Sequence, residues 1–206
     1  MEIKRFLEKL SSDTPTPGGG SASALAGTLS ASLVLMTAGL SLKKGRLEGR
    51  EIREIREIKK KVLTIQKRLF RAIQEDAEYY QAVLKAFRLP KDTEKKRHVR
   101  SKAIQQAYRE ATITPQLVCR QSIELLEYSN MLILKGNPNA LSDVGVAAFL
   151  ADTAVKGGLL NIGINLGPVR DQLFRKRMRL LAKRLEKRRN QMMGRIQKKL
   201  KGSLTI

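Results

Sequence analysis

Residues 15–42 have the sequence PTPGGGSASALAGTLSASLVLMTAGLSL, in which no residue is charged. Seven of the residues from 21 to 42 are Ser or Thr, and Ala and Gly supply much of the rest. The run is long enough to cross a membrane. Helices of small residues pack closely against other helices. We therefore predict a helix over 20–42 that is buried in a bundle and does not span a membrane.

A run of glycines precedes this helix. Backbone N–H groups at a helix start lack intrahelical partners, and glycine lets a ligand approach them closely. The helix dipole adds partial positive charge there, so the run is a candidate site for a carboxylate or phosphate. The alternative is a plain turn that caps a buried helix. The glycines are not followed by Lys-Ser/Thr or preceded by a strand, which excludes a Walker A loop and a dinucleotide fingerprint.

Composition limits the chemistry of the chain. Its 206 residues include one cysteine, Cys119, and one histidine, His98. These counts exclude an internal disulfide, a cysteine-based zinc site and a multi-histidine metal site, so we expect no metal. The N-terminal residues mix charges and lack the apolar core of a signal peptide, which predicts a cytoplasmic location.

The charge is strongly positive and unevenly distributed. The formal net charge is +22, and residues 170–201 hold 14 Lys or Arg against only Asp171 and Glu186. Such a segment attracts nucleic acid, an anionic membrane or polyanionic small molecules. A solvated helix face is the alternative.

The hydrophobic pattern is helical throughout, and no segment alternates like a strand. We predict an all-α, single-domain bundle of about six mostly long helices over residues 1–206. The predicted helices cover residues 2–10, 20–42, 50–88 and 92–113, a continuation from Thr114-Pro115 to about 134, a helix capped by Ser142 or Asp143, and 169–200. A bundle with one exposed apolar seam often dimerises.

One acidic residue interrupts the helix predicted over 50–88. Its apolar residues Ile55, Val62, Leu69 and Val83 keep a seven-residue spacing that also includes Asp76. An ionised carboxylate on the core-facing side of a helix destabilises the fold unless it is paired with another polar group or serves a function. Asp76 is therefore a candidate functional acid, and the alternative is an aspartate satisfied by a neighbouring Arg or Ser.

An ordered set of motifs covers nearly the whole chain. It comprises Pro-Thr-Pro-Gly-Gly-Gly-Ser at 15–21, Lys-Lys-Gly at 43–45, Asp-Ala-Glu-Tyr-Tyr at 76–80, Leu-Pro-Lys-Asp-Thr at 89–93, Ala-Thr-Ile-Thr-Pro at 111–115, Gly136-Asn137, Ser142-Asp143 and Asn-Ile-Gly-Ile-Asn-Leu at 161–166. In this order the motifs resemble the cyclodeaminase domain of the formiminotransferase-cyclodeaminase family, which includes stand-alone methenyltetrahydrofolate cyclohydrolases.

The resemblance implies a helical homodimer that acts on one-carbon tetrahydrofolates without a metal or redox cofactor. The cyclohydrolase reaction opens 5,10-methenyltetrahydrofolate with water to 10-formyltetrahydrofolate. The cyclodeaminase reaction forms the methenyl compound from 5-formiminotetrahydrofolate and releases ammonia. We favour the cyclohydrolase because the formiminotransferase domain is missing from this sequence. A basic helical protein that binds nucleic acid or other anions remains a second alternative.

The resemblance also suggests roles for individual residues. Asp76 or Asp143 would be the general base, and Asn137 and Asn165 would bind the pterin or the hydrated carbon. The substrate's glutamate carboxylates, of which polyglutamylated folates have several, would bind to backbone N–H groups or to cations. The candidates for this role are the N–H groups of Gly18, Gly19, Gly20 and Ser21 and the cations Lys43, Lys44 and Arg100. Pro17 belongs to the same predicted substrate-binding segment.

Overall fold

The computed structural model describes residues 2–43 and 47–203, and the described chain is helical. Lys44, one of the predicted binding residues, lies outside the described residues. The helices are α1 (Ile3–Leu10), α2 (Gly19–Lys43), α3 (Gly49–Phe87), α4 (Glu94–Glu110), α5 (Ile113–Lys135), a 3₁₀ turn (Pro138–Ala140), α6 (Leu141–Leu166) and α7 (Gln172–Ser203). The predicted all-α class and the set of long helices are confirmed.

Helix boundaries follow local capping chemistry, with one prediction wrong. The side chain of Thr93 caps α4 by accepting a hydrogen bond from the N–H of Lys96. Pro115 lies in the first turn of α5, where a missing N–H costs nothing. The predicted cap at Ser142 or Asp143 is wrong, because the 3₁₀ turn leads directly into α6 at Leu141. Asp143 instead lies in the first turn of that helix.

Helices α2, α3, α5 and α6 surround the main core, α7 packs along α5 and α6, and α4 packs against the C-terminal part of α3. The seven-residue repeat of α3 faces inward: Ile55, Val62 and Leu69 lie in this core, and Val83 is buried in a separate cluster against α4. Burying side chains of this size stabilises a fold by about 1.5–3 kcal/mol each. The apolar pattern therefore fixes which face of α3 is internal.

Small residues let α2 approach its neighbours closely, as predicted. A Cβ at Gly27 would lie 3.0 Å from the hydroxyl oxygen of Ser122 on α5. The hydroxyl of Ser30 donates a 2.7 Å hydrogen bond to the carbonyl oxygen of Ala147 on α6. By length and composition alone, α2 and the segment Pro138–Leu166 could cross a membrane. In this fold both helices pack against several others. One face of α2 is buried against α3, α5 and α6, while Leu29 and Met36 on its other face remain exposed.

Helix α2 runs antiparallel to both α3 and α6. Its first turn contacts Asp76 near the end of α3, and its Ser32 accepts a hydrogen bond from Gln66 earlier in α3. Ser23 lies beside Gly157 near the end of α6. The glycine-led start of α2 and the C-terminal parts of α3 and α6 therefore meet at one end of the bundle.

Candidate active site

A cleft of about 650 Å³ lies at this end of the bundle. The residues that line it come from the glycine loop, α3, α4, α6 and the connector after α6: Pro15, Thr16, Gly18, Gly19, Gly20, Asp76, Tyr80, Tyr108, Ala111, Asn161, Ile164, Asn165, Gly167 and Pro168. Asp76 is the one charged side chain among these lining residues. The cleft therefore combines a single carboxylate with aromatic, amide and backbone groups.

The start of α2 holds the carboxylate of Asp76. The hydroxyl of Ser21 donates a 3.1 Å hydrogen bond to Oδ2 of Asp76, and the backbone N–H of Ser21 also donates to this carboxylate. A Cβ at Gly20 would overlap the carboxylate, so glycine is needed for this close approach. At the start of α2, where the sequence predicts a site for a ligand anion, the structure places a carboxylate of the chain itself, held by Ser21.

Two opposing effects act on the ionisation of Asp76. Burial raises the pKa of this carboxyl above its ordinary value, because the charged form loses solvation. The hydrogen bonds from Ser21 partly oppose that rise by stabilising the anion. A carboxylate with a raised pKa is a stronger base than one in water, and its charge acts through a medium of low polarity.

Two tyrosines form an aromatic side of the cleft. Tyr80 lies one helical turn after Asp76, and Tyr108 comes from α4. The ring of Phe87 meets that of Tyr108 edge-on, with centroids 6.2 Å apart. Burial first and the charge of Tyr80 second raise the pKa of Tyr108, so its phenol is protonated at neutral pH. Such rings can stack against a planar ligand.

Amide side chains of α6 also line the cleft. Asn165 donates a 2.7 Å hydrogen bond to the carbonyl oxygen of Ala111, which ties α6 to the end of α4. Asn161 donates to the carbonyl oxygen of Gly157 in its own helix and lies near Gly19. Both amides are therefore fixed in orientation.

Helix α4 also holds the connector between α6 and α7. The side-chain amide of Gln105 donates to the carbonyl oxygen of Pro168 at 3.0 Å and accepts from the N–H of Arg170 at 2.7 Å. Arg109 forms an ion pair with Asp171 at 2.8 Å. Because Pro168 lines the cleft, these contacts fix one edge of the cleft relative to α4.

The structure brings only part of the predicted site together. Gly18, Gly19, Gly20, Asp76 and Asn165 line the cleft. Ser21 contacts Asp76 directly, and Pro17 lies in the loop between lining residues.

Three other predicted residues lie at the opposite end of the bundle. Lys43 is the last residue of α2, about 35 Å from Gly20 along the helix. The backbone N–H of Asn137 donates to the hydroxyl of Ser41, beside Lys43. Asp143 lies about 27 Å along α6 from Asn161. One chain therefore does not bring these residues to the cleft that contains Asp76.

Arg100 lies near the cleft without lining it. Its Nε donates to the carbonyl oxygen of Phe87 at 3.1 Å, and its guanidinium lies 5.4 Å from the centre of the Phe87 ring. Since Phe87 packs against Tyr108, Arg100 supports the aromatic side from behind.

Among the lining residues that were not predicted from the sequence, three carry aromatic or amide side chains: Tyr80, Tyr108 and Asn161. The four-residue spacing from Asp76 to Tyr80 puts both on one helix face, and Asn161 lies four residues before Asn165, so spacing could have found these two. Nothing in the local sequence indicates Tyr108, because α4 reaches the cleft only through tertiary packing.

The remaining candidates for chemistry lie elsewhere or are inert. Cys119 is buried, and burial raises the pKa of its thiol to about 12, so it is not a thiolate nucleophile at neutral pH. Among residues 2–43 and 47–203, no group of three or more His, Cys, Asp or Glu side chains could hold a metal ion.

Comparison with known proteins places the chain in a family. The model of the formiminotransferase-cyclodeaminase family matches residues 2–184, which is most of the sequence. The chain belongs to the formiminotransferase-cyclodeaminase family. The family model ends within α7, so the C-terminal part of that basic helix lies outside the match.

Individual members of the family are also similar. The chain is 34% identical over 172 residues to a methenyltetrahydrofolate cyclohydrolase of Methylorubrum extorquens, covering 84% of this chain and 82% of that protein. It is 29% identical to the formimidoyltransferase-cyclodeaminase of Sus scrofa, covering 86% of this chain and 32% of that protein. This chain thus spans about a third of the bifunctional relative.

A solved structure in the family has the same fold. The crystal structure of formiminotetrahydrofolate cyclodeaminase from Thermotoga maritima matches with a TM-score of 0.88 at 27% sequence identity. The match covers 98% of this chain and 96% of that one. The helical architecture described above is therefore that of the family.

Proposed function

We propose that this protein is a methenyltetrahydrofolate cyclohydrolase, which adds water to 5,10-methenyltetrahydrofolate to give 10-formyltetrahydrofolate. The relative from Methylorubrum extorquens with this activity in its name supports the choice, because the similarity covers most of both chains. The reaction requires water, a base and a binding site for a flat cationic ring, and it needs no redox cofactor. We expect it to occur in the cytoplasm.

The observation that carries this proposal is the isolated carboxylate of Asp76 in a cleft with aromatic and amide walls. The methenyl substrate bears a positive charge delocalised over N5, the bridging carbon and N10. A carboxylate in a poorly solvated cleft stabilises such a cation more strongly than it would in water. Tyr80 and Tyr108 offer aromatic surface for the planar rings.

The same carboxylate also carries out the proton transfers of the proposed reaction. As general base, Asp76 accepts a proton from the water that attacks the bridging carbon, which gives a neutral hydroxylated intermediate. The bond from this carbon to N5 then breaks, the hydroxyl loses its proton to become the formyl oxygen, and N5 gains a proton. Protonated Asp76 supplies that proton to N5, and the hydroxyl proton leaves to solvent. The sum is one substrate cation and one water giving 10-formyltetrahydrofolate and one proton.

Asp76 is a better candidate for the base than Asp143. Both were predicted from the sequence, but only Asp76 lines the cleft in the single chain. Asp143 lies at the other end of α6. The hydrogen bonds from Ser21 hold the Asp76 carboxylate in one orientation, as a base requires.

The cyclodeaminase reaction is the second candidate. The similar structure from Thermotoga maritima carries that activity in its name and shares nearly the whole fold. The same carboxylate could protonate the departing ammonia during ring closure. The two reactions differ in substrate and share the methenyl compound, so one optical signal distinguishes them.

The test uses the near-ultraviolet absorption of methenyltetrahydrofolate with the purified protein. Protein-dependent decay of this absorption supports the cyclohydrolase. Protein-dependent appearance of it from 5-formiminotetrahydrofolate, with equimolar ammonia, supports the cyclodeaminase. If neither substrate reacts, the enzymatic proposal is wrong.

We also propose that the protein is a homodimer, as the family resemblance implies. Large apolar side chains remain exposed on adjacent parts of α2, α3 and α6, including Leu29, Met36, Phe70 and Phe149. The hydrogen bond from Ser30 to Ala147 joins α2 and α6 in this region, so Leu29 and Phe149 lie on neighbouring helices at the same level. A second copy covering this face would bury them.

A further inference from the structure

Along its first turns, α7 forms a basic groove that lies outside the cleft. The groove has a volume of about 690 Å³ and is lined by Leu159, Gln172, Arg175, Lys176, Arg179, Leu180, Ala182, Lys183 and Glu186. Four of these residues are cations, and none of the four forms an ion pair within the described part of the chain. The Nε of Arg175 is buried without a hydrogen-bond partner. The groove is therefore built for an anion.

The described residues that line the cleft offer no cation to the acidic end of a folate. These residues include Asp76 and no Lys or Arg. A folate bound with its ring beside Asp76 must therefore direct its glutamate carboxylates out of the cleft. Any cations that bind them have to lie beyond the cleft edge.

The groove begins where the cleft ends. Pro168 lines the cleft and Gln172 lines the groove, and four residues span at most about 14 Å. On α6, Ile164 lines the cleft and Leu159 the groove, about 8 Å apart along the helix axis. Gln105 and Arg109 fix the connector between them. The start of α7 is therefore held in place relative to the cleft.

The spacing of the cations matches one kind of acidic chain. Arg175, Arg179 and Lys183 follow one another every four residues, which is about 6 Å along a helix. A γ-linked glutamyl unit adds five chain bonds, which also extend over about 6 Å, and carries one α-carboxylate. An extended α-linked glutamate chain advances about 3.3–3.6 Å per residue and its side chains alternate between two faces. Its carboxylates on one face therefore repeat at about 6.6–7.2 Å, and the other half point away from the groove.

We propose that this groove of α7 binds the poly-γ-glutamyl tail of a folate whose ring lies in the cleft. The tail runs from the connector past Arg175 and Lys176 to Arg179 and Lys183. The acidic side chain of Glu186 lies at the end of this row of cations. The inference rests on the proposed folate activity for its substrate. It assigns a role to the start of the basic segment that the chemistry in the cleft does not need.

The experiment compares monoglutamyl and pentaglutamyl methenyltetrahydrofolate in the absorption assay at fixed ionic strength. The groove variant is Arg179→Gln/Lys183→Gln. The matched control is Lys187→Gln/Arg195→Gln, which also removes one Arg and one Lys from exposed positions of α7 that line no described groove. Both double variants remove two positive charges. A difference between their KM values therefore depends on where these charges lie and not on the total charge.

For the unmodified protein we expect a KM for the pentaglutamate about tenfold below that for the monoglutamate, as a few exposed ion pairs would give. In the groove variant this ratio should fall to about twofold, and in the control it should stay near tenfold. Equal effects of the two doubles, or no preference for the longer tail in the unmodified protein, would overturn the proposal.

A binding measurement separates this proposal from the enzymatic one. Free penta-γ-glutamate is titrated into the unmodified protein and both variants by calorimetry, with α-linked pentaglutamate as the comparison. Weaker γ-peptide binding by the groove variant alone supports the groove even if no folate is turned over. Equal binding of both peptides, or no effect of the groove substitutions, overturns the assignment even if the enzyme is active.

Discussion

The hydroxyl of Ser21 lies 3.1 Å from the carboxylate of Asp76, a residue 55 positions further along the chain. This contact joins the first turn of α2 to the last part of α3. It fixes the one charged side chain among the described residues that line the cleft. The backbone N–H of Ser21 donates to the same carboxylate. The helix start thus holds in place the group that we propose as the base.

Replacing this carboxylate should remove activity and preserve the fold. Asp76→Asn keeps the size of the side chain and an oxygen that can accept from Ser21, but it cannot take a proton from water. We expect kcat for methenyl hydrolysis to fall by about 10²–10⁴-fold. The control is Glu78→Gln, an exposed acid on the same helix whose carboxylate accepts a hydrogen bond from Gln74. Equal loss in both variants, or full activity of Asp76→Asn, would remove Asp76 from the mechanism.

The two donors on Ser21 should tune the base. Ser21→Ala removes the side-chain hydrogen bond, which lowers the pKa of Asp76, so that pKa should rise further. The ascending limb of the pH–rate profile should then move to higher pH, because the base must be ionised. Ser32→Ala is the control, since Ser32 also links α2 to a polar side chain of α3, through Gln66. If the ascending limb of the pH–rate profile stays at the same pH in Ser21→Ala, the hydrogen bond from Ser21 does not influence the pKa of the base.

The glycine before Ser21 should be intolerant of a side chain. In Gly20→Ala the added Cβ would overlap the carboxylate of Asp76, which must then leave its position. We expect kcat to fall by about tenfold or more, as small displacements of catalytic groups do. Gly39→Ala on the same helix meets only Lys59 Nζ, at 3.6 Å, and should be neutral or stabilise the helix by up to about 1 kcal/mol. Normal turnover in Gly20→Ala would contradict the requirement for close approach.

The raised pKa of Asp76 also predicts the pH dependence of stability. Because burial raises the folded-state pKa above the unfolded-state value, Asp76 favours folding most below the unfolded-state pKa. That contribution is lost as pH rises through the folded-state pKa. Asp76→Asn should therefore gain free energy of unfolding relative to the unmodified protein between acidic and neutral pH. Urea unfolding across this range measures the difference, and a constant difference would contradict the raised pKa.

Charges on the exposed apolar face should break the proposed dimer. Leu29→Glu and Phe149→Glu place acids at side chains that are 44% and 50% exposed in the single chain, so folding should survive. Sedimentation velocity should show a dimer for the unmodified protein and monomers for these variants. Val99→Glu, at a side chain that is 54% exposed on α4, is the control and should remain dimeric. A monomeric unmodified protein would reject the proposal.

The sequence determined the helices and their internal faces. Uncharged small residues specified α2, and the seven-residue repeat with Ile55 and Leu69 identified the buried face of α3. Local chemistry predicted these features because helix capping, side-chain size and periodicity act over a few residues. The acid at position 76 stood out for the same reason, since it interrupted an apolar repeat.

Tertiary structure alone decided which candidates share a site. Asp76 and Asn165 line one cleft, whereas Asp143 lies at the far end of α6 and Tyr108 reaches the cleft on a helix that no local motif indicates. The antiparallel packing of α2 with α3 and α6 decides this, because it sets which helix ends meet. A sequence records the faces of its helices through their periodicity, but the direction in which two helices pack depends on contacts between residues far apart in the chain.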